Sequence, residues 1–89
     1  MRMGCAVHGR VQMVLFRDFA QRNARRLSIC GIVRNLSDGS VRVEAEGEHA
    51  QLEKFLALLE KGPILARVDS VDVEWCEDRG EYDGFIIVY

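Results

Sequence analysis

The chain has 89 residues, 48% of them hydrophobic and 29% charged. That is enough for one folded domain, read here as residues 1–89, and it excludes a disordered polypeptide. Twelve basic against fourteen acidic side chains leave a formal net charge of −2, which supplies no electrostatic footprint for nucleic acid or an anionic membrane.

No apolar run approaches the ~20 residues that span a bilayer. His8 and Arg10 interrupt the N-terminal apolar stretch, so no signal peptide is expected. Cys5, Cys30 and Cys76 are odd in number and widely spaced, giving neither a disulfide framework nor a metal-ligand pattern. Free thiols fit the reducing cytosol, so a cytoplasmic protein with no bound metal or other cofactor is expected.

Residues 3–11 alternate, with Cys5, Val7 and Val11 on one side and His8 and Arg10 on the other, which predicts a strand. From Phe16 the period becomes helical. Phe16, Phe19, Ala20, Ala24 and Leu27 form one stripe, opposite Asp18, Gln21, Arg22, Arg25 and Arg26. Asp18 and the Arg25-Arg26 pair complement the dipole at the two ends. Residues 31–36 and 40–47 read as strands joined by Ser37-Asp38-Gly39, an Asp-Gly hairpin turn. Arg42, Glu44 and Glu46 alternate with Val41, Val43 and Ala45, so one face of the sheet is expected to be wet.

Leu52, Phe55, Leu56 and Leu59 predict a second helix, stopped by Gly62-Pro63. Val68, Val71 and Val73 belong to a fourth strand running to about Cys76. After a turn at Arg79-Gly80, Phe85, Ile87 and Tyr89 alternate in a last one. The order β-α-β-β-α-β, with a short extra C-terminal strand, predicts an α+β ferredoxin-like plait. Its sheet is antiparallel and both helices lie on one face. In that reading the strand after the first helix packs beside the first strand.

The loop from Gly9 to Arg17 enters a helix N-terminus, where unpaired amides and the helix dipole favour an anion. Arg17 stands at the start of that helix, and a guanidinium there can grip two phosphate oxygens in a planar fork. Asn35 shares a strand face with Val33, so it points towards the core near the strand's end, where an amide must find partners. Side-chain chemistry alone leaves Arg17 and Asn35 open to structural roles.

The two segments resemble the acylphosphatase family. Gly9-Arg10-Val11-Gln12-Met13-Val14-Leu15-Phe16-Arg17 matches the family's first motif, Gly-x-Val-Gln-Gly-Val-x-Phe-Arg, except at Met13. Gly31-Ile32-Val33-Arg34-Asn35-Leu36-Ser37-Asp38-Gly39 is similar to the second, with Ile32 in place of an aromatic. Gly62-Pro63 followed by Ala66-Arg67-Val68 is a weaker third match, and the likeness covers the whole chain.

The resemblance implies hydrolysis of small-molecule acyl phosphates. Arg17 and the backbone amides of Gln12, Met13, Val14, Leu15 and Phe16 would bind the phosphate, and Asn35 would hold the attacking water. A monomer acting without nucleic acid or membrane is the expectation. The rival reading is a catalytically silent plait that binds an anionic ligand or a protein partner. An RNA-binding plait would need aromatics on its central strands, and a copper carrier a Cys-x-x-Cys loop; neither is present.

Met13 is the departure with a physical consequence. Glycine reaches positive φ freely, whereas other residues are disfavoured there by roughly 1–2 kcal/mol. Either the loop keeps its shape under strain, or it opens and the phosphate cradle is imperfect. The expectation is that Met13 weakens phosphate binding or catalysis without abolishing either, so that Met13→Gly tightens phosphate binding or speeds turnover.

Overall fold

Met3, Cys5 and Val7 alternate along β1 (Arg2–Arg10) and all three are fully buried. In the computed structural model, which describes residues 1–89, this strand is followed by α1 (Phe16–Arg26), β2 (Cys30–Asn35), β3 (Val41–Glu46), α2 (His49–Lys61), β4 (Arg67–Cys76) and β5 (Phe85–Val88). The spatial order of the five strands is β4-β1-β3-β2-β5. Four strands pair antiparallel, and β5 joins β2 in parallel at the sheet's edge.

The plait is as expected, but the first and second strands are not neighbours. β3 lies between them, because the β2–β3 hairpin folds back so that β3, not β2, pairs with β1. A helical crossover carries the chain past one strand position, and the hairpin fills the gap. Proximity of Asn35 to the β1–α1 loop therefore needs another cause, found below.

The inner faces of β1, β2 and β3 meet the apolar stripes of both helices. Phe16, Ala20 and Ala24 of α1 and Leu52, Phe55 and Leu59 of α2 are buried in one cluster with Val33, Val41, Val43 and Ala45. Gly62 ends α2 at φ 72, its amide donating to the Leu58 carbonyl oxygen. No helix is long and apolar enough to cross a membrane.

Along β4, Val68 and Val71 both pack against the core although they lie three positions apart, an odd spacing. The β1–β4 register shifts between His8 and Gly9, pairing His8 with Ser70 but Gly9 with Val68. Asp69 is the extra residue of this bulge, and it re-phases the strand. Gly9, at φ 128, closes on the same spot, and a side chain there would collide with the Arg67 carbonyl oxygen. The first glycine of the 9–17 motif is thus required by the pairing of β1 with β4.

The outer face of the sheet is less wet than its alternation suggests. Glu46 is only 5% exposed and Arg2 8%. Arg2 donates to Glu46 at 3.3 Å, to Glu44 at 3.1 Å and to the Tyr82 hydroxyl at 3.1 Å. The Arg79 amide donates to Glu46 at 3.0 Å, so the β4–β5 connection covers this end of the sheet. Removing one partner of a buried pair leaves the other charge unpaired. Arg2→Ala is therefore expected to lower stability by about 3 kcal/mol, measured by urea unfolding.

All three cysteines are free. Burial pushes the Cys5 thiol up to about 12, which makes it an inert core residue.

Candidate active site

Residues 11–15 link β1 to α1 without regular structure. The amides of Gln12, Met13, Val14 and Leu15 donate to no group in the chain. The first turn of α1 adds amides that a helix leaves unpaired. Val14 and Phe16 turn inward and are buried, anchoring the loop from below, while Met13 and Leu15 stand 97% and 70% exposed.

The loop has the glycine-like conformation. Met13 takes φ 61 and Leu15, the residue before the helix, φ 63. The strained alternative is therefore the one adopted, and Leu15 is a second position of the same kind. Met13→Gly is expected to stabilise the protein by about 0.5–1 kcal/mol: relief of the left-handed conformation at ~1–2 kcal/mol less ~0.5–1 kcal/mol of backbone entropy. No packing is lost, because the side chain is in solvent. Thermal unfolding would show Tm higher by roughly 2–8 °C.

Gln12 supplies the missing link between loop and hairpin. Its Nε2 donates to the Leu36 carbonyl at 2.7 Å and to the Ser40 carbonyl at 2.8 Å. These two oxygens belong to the turn between β2 and β3, which is closed by the Leu36 amide on the Ser40 carbonyl at 2.9 Å. Ser40 donates to Asp38 through its hydroxyl at 2.6 Å and its amide at 3.0 Å. Those bonds, the hydroxyl's first, hold the Asp38 carboxyl below its ordinary range. The β2–β3 turn is thus stapled to the β1–α1 loop across the intervening strand, and Asn35 comes with it. The Gln12 side chain acts as this staple, a role separate from that expected for its amide.

Arg17, Asn35, Met13, Leu15, Ile87 and Tyr89 are among the residues lining one cavity of about 360 Å³. Arg17 is the second residue of α1, and its guanidinium lies 4.7 Å from the centre of the Tyr89 ring. Asn35 ends β2 opposite Val41, on the core side of the sheet. Its Oδ1 is buried and forms no hydrogen bond within the chain. A buried acceptor left this way costs about 1–3 kcal/mol. Asn35 lines the cavity, so its side-chain amide can meet a small hydrogen-bonding molecule such as water there.

The cavity thus combines a half-buried cation, the loop and helix-start residues Met13, Leu15 and Phe16, and the Asn35 amide, while Gln12 and Val14 are not on its lining. That set suits a tetrahedral oxyanion and a small hydrogen-bonding molecule beside it. Tyr89 and Ile87 joined the site unannounced. Their strand read only as an alternating one, and no local pattern tells which neighbour an edge strand will face. His8 pairs with Asp72 at 3.0 Å, and His49 lies edge-on to Trp75 and beside Glu53. Neither histidine lines the cavity.

The acylphosphatase family model matches residues 3–87. An acylphosphatase of Salinibacter ruber is 49% identical over 84 residues, covering 94% of this chain and 88% of the relative. One of Thermus thermophilus is 49% identical over 79 residues, covering 89% and 90%. The crystal structure of acylphosphatase from Bacillus subtilis superposes with a TM-score of 0.95 at 33% identity, covering 99% of this chain and 98% of that one. A cavity built on Arg17 and Asn35, inside a plait that matches these proteins from end to end, leads to one conclusion: the chain belongs to the acylphosphatase family.

Proposed function

We propose that the protein hydrolyses the carboxyl–phosphate bond of acyl phosphates at the Arg17–Asn35 cavity. The observation that supports this reading is one cavity lined by Arg17, Asn35, Met13, Leu15 and Phe16, beside loop amides that donate to no group in the chain. The phosphate is held by the Arg17 guanidinium and the amides of Gln12 to Phe16. Asn35 holds the attacking water through its side-chain amide and aims the water's oxygen at phosphorus.

The water oxygen forms a bond to phosphorus while the bond from phosphorus to the acyl oxygen breaks. The electron pair of that bond leaves with the carboxylate. The water's proton goes to a phosphate oxygen of the substrate, since an amide such as Asn35 has no useful basicity. A carboxylate is the anion of an acid of pKa near ~4, so it departs without a general acid. Catalysis then consists of positioning and charge stabilisation, as phosphoryl transfer requires.

Benzoyl phosphate incubated with the protein in ¹⁸O-water tests both the reaction and the bond broken. Label in inorganic phosphate and none in benzoate is the expected outcome. Label in benzoate would mean attack at the carbonyl and would refute the role given to Asn35. No turnover by a protein that binds inorganic phosphate would leave a silent anion-binding domain.

A further inference from the structure

Met13 and Leu15 occupy the left-handed conformation that glycine adopts freely, and neither side chain recovers that cost by packing, being almost wholly and mostly exposed. Both nevertheless line the cavity, where they share the wall with Ile87 and Tyr89. The only charged residues on that wall are Arg17 and Asp18. Asp18 is already engaged by Arg22 at 2.9 Å. With Arg17 and the loop amides committed to the phosphate, the remaining wall is apolar and offers no second cation.

We infer that Met13 and Leu15, with Ile87 and Tyr89, form an acyl subsite selecting uncharged, apolar acyl groups, aromatic ones above all. The inference rests on the acylphosphatase reading and deepens it. The acyl group is covalently joined to the phosphate, so once the phosphate is seated the rest of the same cavity lies within its reach. An aromatic ring there removes apolar surface of both partners from water, whereas an acetyl group reaches little of it. A carboxylate-bearing acyl group would lose hydration and meet no partner but Asp18.

The test compares benzoyl phosphate with acetyl phosphate in the wild type and in the double variant Met13→Asn/Leu15→Asn. Asparagine tolerates positive φ better than most residues, so the loop keeps its shape while its apolar surface is removed. The ratio of kcat/KM for benzoyl to acetyl phosphate should fall about 10-fold, chiefly through the KM for benzoyl phosphate. Both leaving groups are carboxylates of similar basicity, so the change in ratio reports the subsite.

A ratio that stays within about 2-fold would overturn the inference and leave the acylphosphatase reading intact. A wild type that hydrolyses neither substrate would overturn both. A measurement on the wild type alone guards against a misfolded variant. With inorganic phosphate present, benzoate should inhibit at a concentration at least about 10-fold lower than acetate. Equal inhibition would refute the subsite.

Discussion

Arg17→Ala lowers kcat/KM for benzoyl phosphate by about 1,000-fold and leaves the fold nearly as stable as before. The first half follows from what a guanidinium does in phosphoryl transfer. It meets the charge that spreads over the phosphate oxygens, in a cavity partly shielded from water, and removal of one such group costs about 100- to 1,000-fold or more. The second half follows from its surroundings. The Arg17 guanidinium stacks on the Tyr89 ring at 4.7 Å and makes no ion pair within the chain, so its loss removes one cation–π contact, to a ring that is itself exposed, of about 0.5–1 kcal/mol. Arg17→Lys separates charge from shape. It restores a cation without the planar fork, so activity should recover only in part. Steady-state kinetics and thermal unfolding of the two variants check this. Full activity in Arg17→Ala would remove Arg17 from the site.

Asn35→Ala should behave differently. Here the expectation is a fall in kcat of about 100-fold, the scale on which misplacing a reactant by about an ångström acts. The inhibition constant of inorganic phosphate should barely change, because Arg17 and the loop amides remain. An effect on kcat and kcat/KM alike is what loss of an interaction made in the transition state produces. Stability should hold steady or rise. The buried Oδ1 of Asn35 has no partner within the chain, and deleting an unsatisfied acceptor recovers about 1–3 kcal/mol, offset by the small cavity left behind. A variant that loses activity while unfolding at the same or a higher temperature marks a residue kept for chemistry. Substantial destabilisation would instead assign Asn35 a structural role.

Much of this arrangement could be read from the amino acids, for identifiable reasons. The alternation of Cys5 and Val7, the helical spacing of Phe16, Ala20 and Ala24, and the Asp38-Gly39 turn are local signals, and each reports the face its residues bury. They located the elements and put Asn35 on the core side. The glycine missing at position 13 identified a left-handed position before any backbone angle was known.

The rest depends on contacts between distant segments. Alternation in β1 and β2 says nothing of the strand between them, so the expectation that the two were neighbours failed. The Gln12 side chain, which reaches the β2–β3 turn, had only a backbone role in the sequence reading. Glu46 looked solvated because its strand alternates, but Glu46 and Arg2 are covered by Arg79, Glu81 and Tyr82, in a segment that carries no periodic pattern. Leu15 escaped notice because a leucine before a helix gives no hint of φ 63. Tyr89 gave no sign of stacking on Arg17, since that contact joins the last residue to the seventeenth.

These long-range links also decide how the site is held. A single side chain, Gln12, ties the turn bearing Asn35 to the loop bearing the amides, and the α1 stripe fixes Arg17 relative to both. The central claim is that this cavity seats a phosphate. Titration of ¹⁵N-labelled protein with inorganic phosphate, followed by amide NMR, tests it most directly. The account predicts that the backbone amides of residues 12–16 and the Asn35 side-chain amide shift together, with one dissociation constant, and that Arg17→Ala abolishes the response. Shifts centred elsewhere on the plait, or a response untouched by Arg17→Ala, would contradict it.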